Sequence, residues 1–248
     1  MDLVRNTLEK IKYAGFVKKF AKFPPDVDED FKQIYNQCQP YTMTSMERML
    51  SLYDAIQYVV KNNIKGDFVE CGVWKGGSSM LSALTFLKMN NINRSLFLYD
   101  TFSGMSEPTD KDINIINKPA KQKYQELLKS DHNDWCYATI DCVKQNIMST
   151  GYPEGKVVLV KGKVEDTIPQ TIPDNISILR LDTDWYESTY HELVHLFPRL
   201  SHGGILIIDD YGHWKGAKLA TDQYFNEIGQ NIFLSRIDYT GRIGIKQD

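Results

Sequence analysis

At 248 residues the chain is long enough for one large domain or two small ones. Its 42% hydrophobic and 25% charged residues match an ordinary globular composition and exclude disorder, collagen and coiled coil. Lysine and arginine number 29 against 32 aspartates and glutamates, a net charge of −3, so no global positive field exists to hold a nucleic acid. Cys38, Cys71, Cys136 and Cys142 show neither C-x-x-C spacing nor the density of a disulfide framework, which predicts free thiols and a cytoplasmic protein. No apolar run approaches the roughly eighteen residues of a membrane span, so no stable membrane insertion is expected.

Along the chain, residues 3–20 set Leu3, Val4, Leu8, Ile11, Phe16, Val17 and Phe20 among lysines and an arginine, predicting a basic amphipathic helix closed by Pro24 and Pro25. Such a helix could lie on a membrane surface, but its apolar stripe is better suited to dock on the main domain or on a second subunit of a homodimer. Thr44-x-x-Glu47 reads as a capping box ahead of a helix from Met46 to Val60, with Gly66 ending the connection. Short apolar runs then alternate with helical patterns: DFVEC, a helix over Ser78–Asn90, SLFLYD, KVVLVKG, ISILRLD, a helix over Ser188–Leu200, and GGILIIDD. This alternation predicts a mostly parallel sheet with helices on both faces, an α/β fold. The last run, NIFLSRIDYTGRIGIKQD, splits at Tyr239-Thr240-Gly241 into a closing antiparallel hairpin. More than forty residues separate SLFLYD from KVVLVKG, far beyond a normal strand-to-helix loop, so about 103–150 form an insertion. KYQELLK and IDCVKQNIM read as helices within it, and its position makes it a lid over the acceptor substrate. The expected division is therefore an N-terminal helical extension over 1–40 and one catalytic domain over 41–248.

VECGVWKGGSS follows a strand and opens a helix, so Gly72, Gly76 and Gly77 let the backbone approach a ligand closely. The spacing is not G-x-G-x-x-G, and Glu70-x-Gly72 is similar instead to the first motif of class I S-adenosylmethionine (SAM) methyltransferases. Asp100, at the tip of the next strand, is where a carboxylate accepts both hydroxyls of a ribose. LRLDTD and ILIIDDYG deliver Asp182, Asp184, Asp209 and Asp210 to carboxyl ends of neighbouring strands, where ligands bind in open α/β sheets. Four carboxylates there are tolerable only if some are protonated or a cation sits among them, and an all-oxygen set suits Mg²⁺ or a similar hard ion. His191-Glu192-Leu193-Val194-His195 matches the zinc motif H-E-x-x-H, but helical spacing gathers Tyr190, Leu193, Val194, Phe197 and Leu200 on one face and leaves His191, Glu192 and His195 solvated.

With these segments in view, the chain resembles the TylF-type family of macrocin O-methyltransferases through PYTMTSMER, GDFVECGVWKGGSS, LYDTFSGM, VEDTIP, LRLDTDWYEST, LFPRLSHGGILIIDDYGHWKGAK and RIDYTG, in one order over about two hundred residues. The resemblance implies a Rossmann-like class I SAM-dependent methyltransferase with a seven-stranded sheet, acting on a hydroxyl of a sugar or glycosylated small molecule. It implies cofactor contacts from Met43, Ser45, Glu70, Gly72, Ser78, Asp100, Ser103 and Asp182. It further implies Mg²⁺ held by Asp182, Asp209 and Asp210 and a general base at Asp184, with His213 as a second candidate. A nicotinamide oxidoreductase lacks its glycine fingerprint here and has no use for four carboxylates at the strand ends; a non-catalytic binding module has none for them either.

Overall fold

The computed structural model describes residues 23–247; the expected helix over 3–20 lies outside the described residues. Seven strands form one sheet in the order β3-β2-β1-β4-β5-β7-β6. They are β1 Asp67–Cys71, β2 Leu96–Asp100, β3 Val157–Lys161, β4 Ile176–Leu181, β5 Leu200–Ile208, β6 Ser235–Arg236 and β7 Arg242–Ile245. β1 to β5 pair in parallel, and β7 closes the sheet antiparallel to β5. The expected hairpin is there with short strands: Ser235 pairs with Ile243 and Arg236 with Arg242, around a turn in which Asp238 accepts the amides of Thr240 and Gly241.

Eight α-helices flank these strands among the described residues: α1 Glu29–Cys38, α2 Met46–Lys61, α3 Gly77–Lys88, α4 Ala120–Leu127, α5 Ile140–Met148, α6 Val164–Thr167, α7 Tyr186–Leu196 and α8 Lys215–Glu227. β4 is buried along its whole length, as a strand covered on both faces must be. Phe31, Met49, Ile56, Leu81 and Phe86 of α1, α2 and α3 fill one side of the sheet, and Leu193, Leu196 and Tyr224 of α7 and α8 fill the other. No described helix is long and apolar enough to cross a membrane, and the four cysteines are free.

The helical starts and stops differ from expectation in two places. Ser45, not Thr44, caps α2, its hydroxyl accepting the Arg48 amide at 3.2 Å. Thr44 Oγ1 accepts the Thr42 hydroxyl at 2.7 Å, so the Thr44 hydroxyl belongs to the loop. Pro198 ends α7 in a single 3₁₀ turn, and β5 begins at Leu200, three residues before the expected GGILIIDD run.

The H-E-x-x-H segment is turned from the expected orientation. Glu192 is fully buried, with Oε1 accepting the Thr183 hydroxyl at 2.9 Å, whereas Val194 is exposed. The reason is α8: Tyr186 bonds Gln223, Tyr190 bonds Glu227, and this side chain row faces the neighbouring helix, which turns Thr189, Glu192, Leu193 and Leu196 inward. His191 Nε2 lies 2.9 Å from the Ile168 carbonyl, and no zinc set forms among the described residues. Burial raises the Glu192 carboxyl well above its usual pKa, and its Oε2 has no hydrogen-bond partner. A carboxyl whose folded pKa is raised loses stability as pH climbs past its unfolded value. The Glu192→Gln variant, which cannot ionise and can still accept from Thr183, is therefore expected to be more stable than the parent at pH 7.5. That gain should shrink toward pH 4 in a series of urea titrations.

Candidate active site

Parallel registry sets the site. Glu70 lies opposite Arg180, and Leu181 opposite Ile208, so β1, β4 and β5 end side by side. The ladder runs one step past each strand: the Gly72 amide donates to Tyr99, Asp182 to Cys71 and Asp209 to Leu181, at 2.8, 2.8 and 2.9 Å. Gly72 has φ +85°, and a Cβ there would fall onto the Asp182 carbonyl, so no other residue fits this crossing. At Gly77 a Cβ would meet the Tyr41 carbonyl and Thr42 side chain, which brings the YTMTS stretch against the glycine loop.

A cavity of about 430 Å³ opens at these strand ends. Met43, Gly72, Ser78 and Asp100 line it together with Asp182, Asp184, Asp209 and Asp210. A smaller hollow continues past Gly72 and Asp100 toward Thr101 and Val164, giving the site an elongated shape. Three expected contacts sit elsewhere. Glu70 is fully buried beneath the cavity and accepts from Ser78, Ser79 and Arg180. Ser45 donates to Asp238 at 2.7 Å while capping α2. Ser103 borders a separate depression with Lys129 and His132, because the chain turns away at Gly104.

Asp100 lies at the tip of β2, lines the cavity, and also accepts backbone amides. Its Oδ2 accepts the amides of Val73 and Trp74 at 2.8 and 3.0 Å, and Oδ1 accepts Phe102 at 2.7 Å. These bonds hold the glycine loop against β2. Burial raises its pKa while the three amides oppose the rise.

The acidic cluster is organised by two arginines that sequence reasoning passed over. Arg180, 2% exposed, donates to Glu70 at 2.7 Å, Asp182 at 2.7 Å and Asp209 at 2.6 Å. Burial by itself would lower the pKa of this guanidinium, but Asp182, Asp209 and Glu70 hold it far above its usual value. Arg48 of α2 reaches Asp209 from the other side and Asp238 at 3.0 Å, tying the C-terminal hairpin to the cluster. Alternation gave the signal for Arg180: in ISILRLD it occupies a position between two buried leucines.

Two guanidiniums do not balance the carboxyls of Glu70, Asp182, Asp184, Asp209 and Asp210. Ligand oxygens of Asp182, Asp209 and Asp210 lie within 4.8 Å of one another, and Asp210 Oδ2 is buried with no donor reaching it. Burial drives the pKa of both Asp182 and Asp210 well up, Arg180 opposing this at Asp182 and the neighbouring carboxylates adding to it at Asp210. A donor set made of oxygen alone, with an orphaned carboxylate oxygen, fits a hard divalent cation. Asp184 stands beside the cluster in a left-handed conformation, φ +67°. Burial, reinforced by Asp182, pushes its carboxyl up to about 7.

The insertion roofs the cavity, with α4 and α5 where helices were expected. It is fastened down: buried Asp112 accepts the Tyr186 amide at 2.8 Å, supplying α7 with the N-terminal cap that it lacks locally. Trp185 packs edge to face with both Trp135 and Trp214, which are tilted against each other, joining the insertion to the starts of α7 and α8.

A mostly parallel sheet of this strand order with its antiparallel seventh strand, and a cofactor-sized cleft at the ends of β1, β2 and β4, define a class I SAM-dependent methyltransferase fold. The macrocin-O-methyltransferase (TylF) family model matches residues 18–243. The chain belongs to that family and is an O-methyltransferase. It is 31% identical over 243 residues to the 8-demethyl-8-(2,3-dimethoxy-alpha-L-rhamnosyl)-tetracenomycin-C 4'-O-methyltransferase of Streptomyces olivaceus, covering 97% of this chain and 90% of that one. It is 28% identical over 220 residues to the mycinamicin III 3''-O-methyltransferase of Micromonospora griseorubida, covering 85% and 82%. Its fold matches the solved structure of the O-methyltransferase NovP with a TM-score of 0.72 at 27% identity, covering 84% of this chain and 83% of that one.

The Arg180→Met variant should unfold about 3–5 kcal/mol more easily in chelator, since it strands buried carboxylates without their partner. Chemical denaturation measures this; an unchanged midpoint would mean that the cluster is balanced by something else.

Proposed function

We propose that this protein methylates a hydroxyl of a glycosylated small molecule, using SAM and a hard divalent cation of the Mg²⁺ kind. One observation carries the reading: Asp184 stands beside the Asp182, Asp209 and Asp210 cluster in the same cleft that begins at the Gly72 loop. The names of the Streptomyces and Micromonospora relatives, both sugar O-methyltransferases, support the acceptor class. Domain limits of 41–248 with an extension over 1–40 and a lid over about 103–150 belong to the same reading, as does a cytoplasmic setting, in keeping with four free thiols.

When bound, SAM supplies an electrophilic methyl group, and the cation makes the acceptor hydroxyl more acidic. Asp182, Asp209 and Asp210 would hold that cation. Arg180 fixes Asp182 and Asp209 in place, so the ligand oxygens converge before anything binds. Asp100 keeps the Val73 and Trp74 amides in a rigid turn under the cofactor, and Met43 and Ser78 border the same end of the cleft. Asp184 would accept the proton that the acceptor hydroxyl loses when the methyl group passes to its oxygen from the sulfonium sulfur, which leaves as a neutral thioether. Its left-handed backbone aims the carboxylate before substrate arrives, and the lid excludes water that would compete for it.

Two measurements separate these roles. Asp184→Asn should lower kcat by a factor of about 10²–10⁴ with cofactor affinity nearly kept and no rescue by added Mg²⁺. Asp210→Asn should weaken metal binding and recover part of its activity at high Mg²⁺, because an amide oxygen still coordinates. The reverse rescue pattern would exchange the assignments. Asp100→Ala should weaken calorimetric binding of SAM by roughly 1.5–3 kcal/mol through loss of the ordered loop; no heat from the parent protein would reject the cofactor.

A further inference from the structure

The two walls of the cavity carry opposite chemistry. At the strand ends Asp182, Asp184, Asp209 and Asp210 line it, with Arg48 paired to Asp209 among them. On the roof stand Lys123 of α4 and Asn114, both lining the same space. The Lys123 ammonium lies 4.1 Å from the centre of the Trp135 ring; Lys123 is exposed, and no salt bridge of it is found among the described residues. Asn114 uses its side-chain oxygen on the amides of Ile116 and Lys118, which fixes the orientation of the group and leaves its NH₂ without an acceptor among the described residues. Trp135 adds a flat apolar ring to the same lining, packed edge to face with Trp185 and tilted against Trp214. The roof therefore offers hydrogen-bond donors, one of them charged, around an aromatic surface, and no side-chain oxygen free to accept.

A neutral sugar hydroxyl can accept from Lys123 and Asn114, but only an oxyanion also offsets the Lys123 charge. A donor-only wall with a fixed positive charge is complementary to a group that only accepts: a carboxylate or a phosphate oxygen. Resting on the methyltransferase reading above, we infer that the acceptor is an acidic sugar derivative. In this arrangement its oxyanion is held by Lys123 and Asn114, its ring lies against Trp135, and the hydroxyl to be methylated points down to Asp184. The aromatic face under the ammonium serves the free protein as a placeholder, a cation resting on a π system until an anion arrives. Such a contact fixes which end of the acceptor enters first, since like charges bar the anionic end from the aspartate floor.

A uronic acid and a sugar phosphate, free or esterified to a nucleoside, present the same oxyanion chemistry and are told apart by ligand. The experiment is calorimetric titration of the Mg²⁺-loaded protein, saturated with the demethylated cofactor, with methyl glycosides, methyl glycuronides, sugar 1-phosphates and nucleoside diphosphate sugars of the gluco and galacto series. Acidic members should bind about ten- to hundredfold tighter than the neutral glycosides, the range for a charge-assisted hydrogen bond. Lys123→Met should erase that preference, Lys123→Arg should keep most of it, and raising the salt concentration should reduce it. A preference for the glycuronide names a carboxylate, and a preference for the phosphates names a sugar phosphate. Equal binding of neutral and acidic members, binding of none, or a preference that survives Lys123→Met overturns the inference. Failure of the protein to bind the demethylated cofactor at all would instead reject the methyltransferase reading, so the two failures are distinct.

Discussion

Everything at the carboxyl edge of the sheet depends on one buried guanidinium. Arg180 sits at the end of the central strand β4 and reaches Glu70 on β1 and Asp209 after β5, besides its near neighbour Asp182. Removing a cation from water is expensive, and three carboxylates at 2.6–2.7 Å are what offset that cost. The exchange works in both directions: without Arg180 the same carboxylates would repel one another across strands that must stay hydrogen-bonded. The site is thus pre-shaped by an internal ion network, with an excess of negative charge left over for a ligand.

That network also explains why distant segments converge here. Arg48 extends it from Asp209 to Asp238, so the start of α2 and the turn of the C-terminal hairpin are drawn to the same point. Thr240 completes the link, its hydroxyl donating to the Asp209 carbonyl at 2.8 Å. The insertion is bound differently, by the Asp112 cap on α7 and by the tryptophan cluster. Ion pairs build the floor, then, and aromatic contacts and backbone capping build the roof.

Much of this was legible from residue order. Alternating apolar runs specify parallel strands because both faces of such strands are covered, and LRLDTD and ILIIDDYG specify aspartates at strand ends because the sheet ladder stops where the apolar run stops. Helix periodicity gave α2, α3, α4 and α5 within a few residues. It failed for the H-E-x-x-H helix, where periodicity alone could not know that α8 would cover the Tyr186 and Tyr190 side and turn Glu192 inward.

Local sequence determined the element types, the αβ alternation, the close approach at Gly72 and the identity of the acidic residues, since each follows from backbone sterics or from a repeat of two or of three to four residues. Partnership was decided by the folded chain. Asp100 accepts the Val73, Trp74 and Phe102 amides, and Ser45 donates to Asp238, partnerships that no local pattern announces. Arg48 and Asp238 are 190 positions apart and share one ion pair. Pairings over such separations depend on strand order and helix rotation, which no short-range pattern encodes, because the energy that selects them is the burial of charge in company.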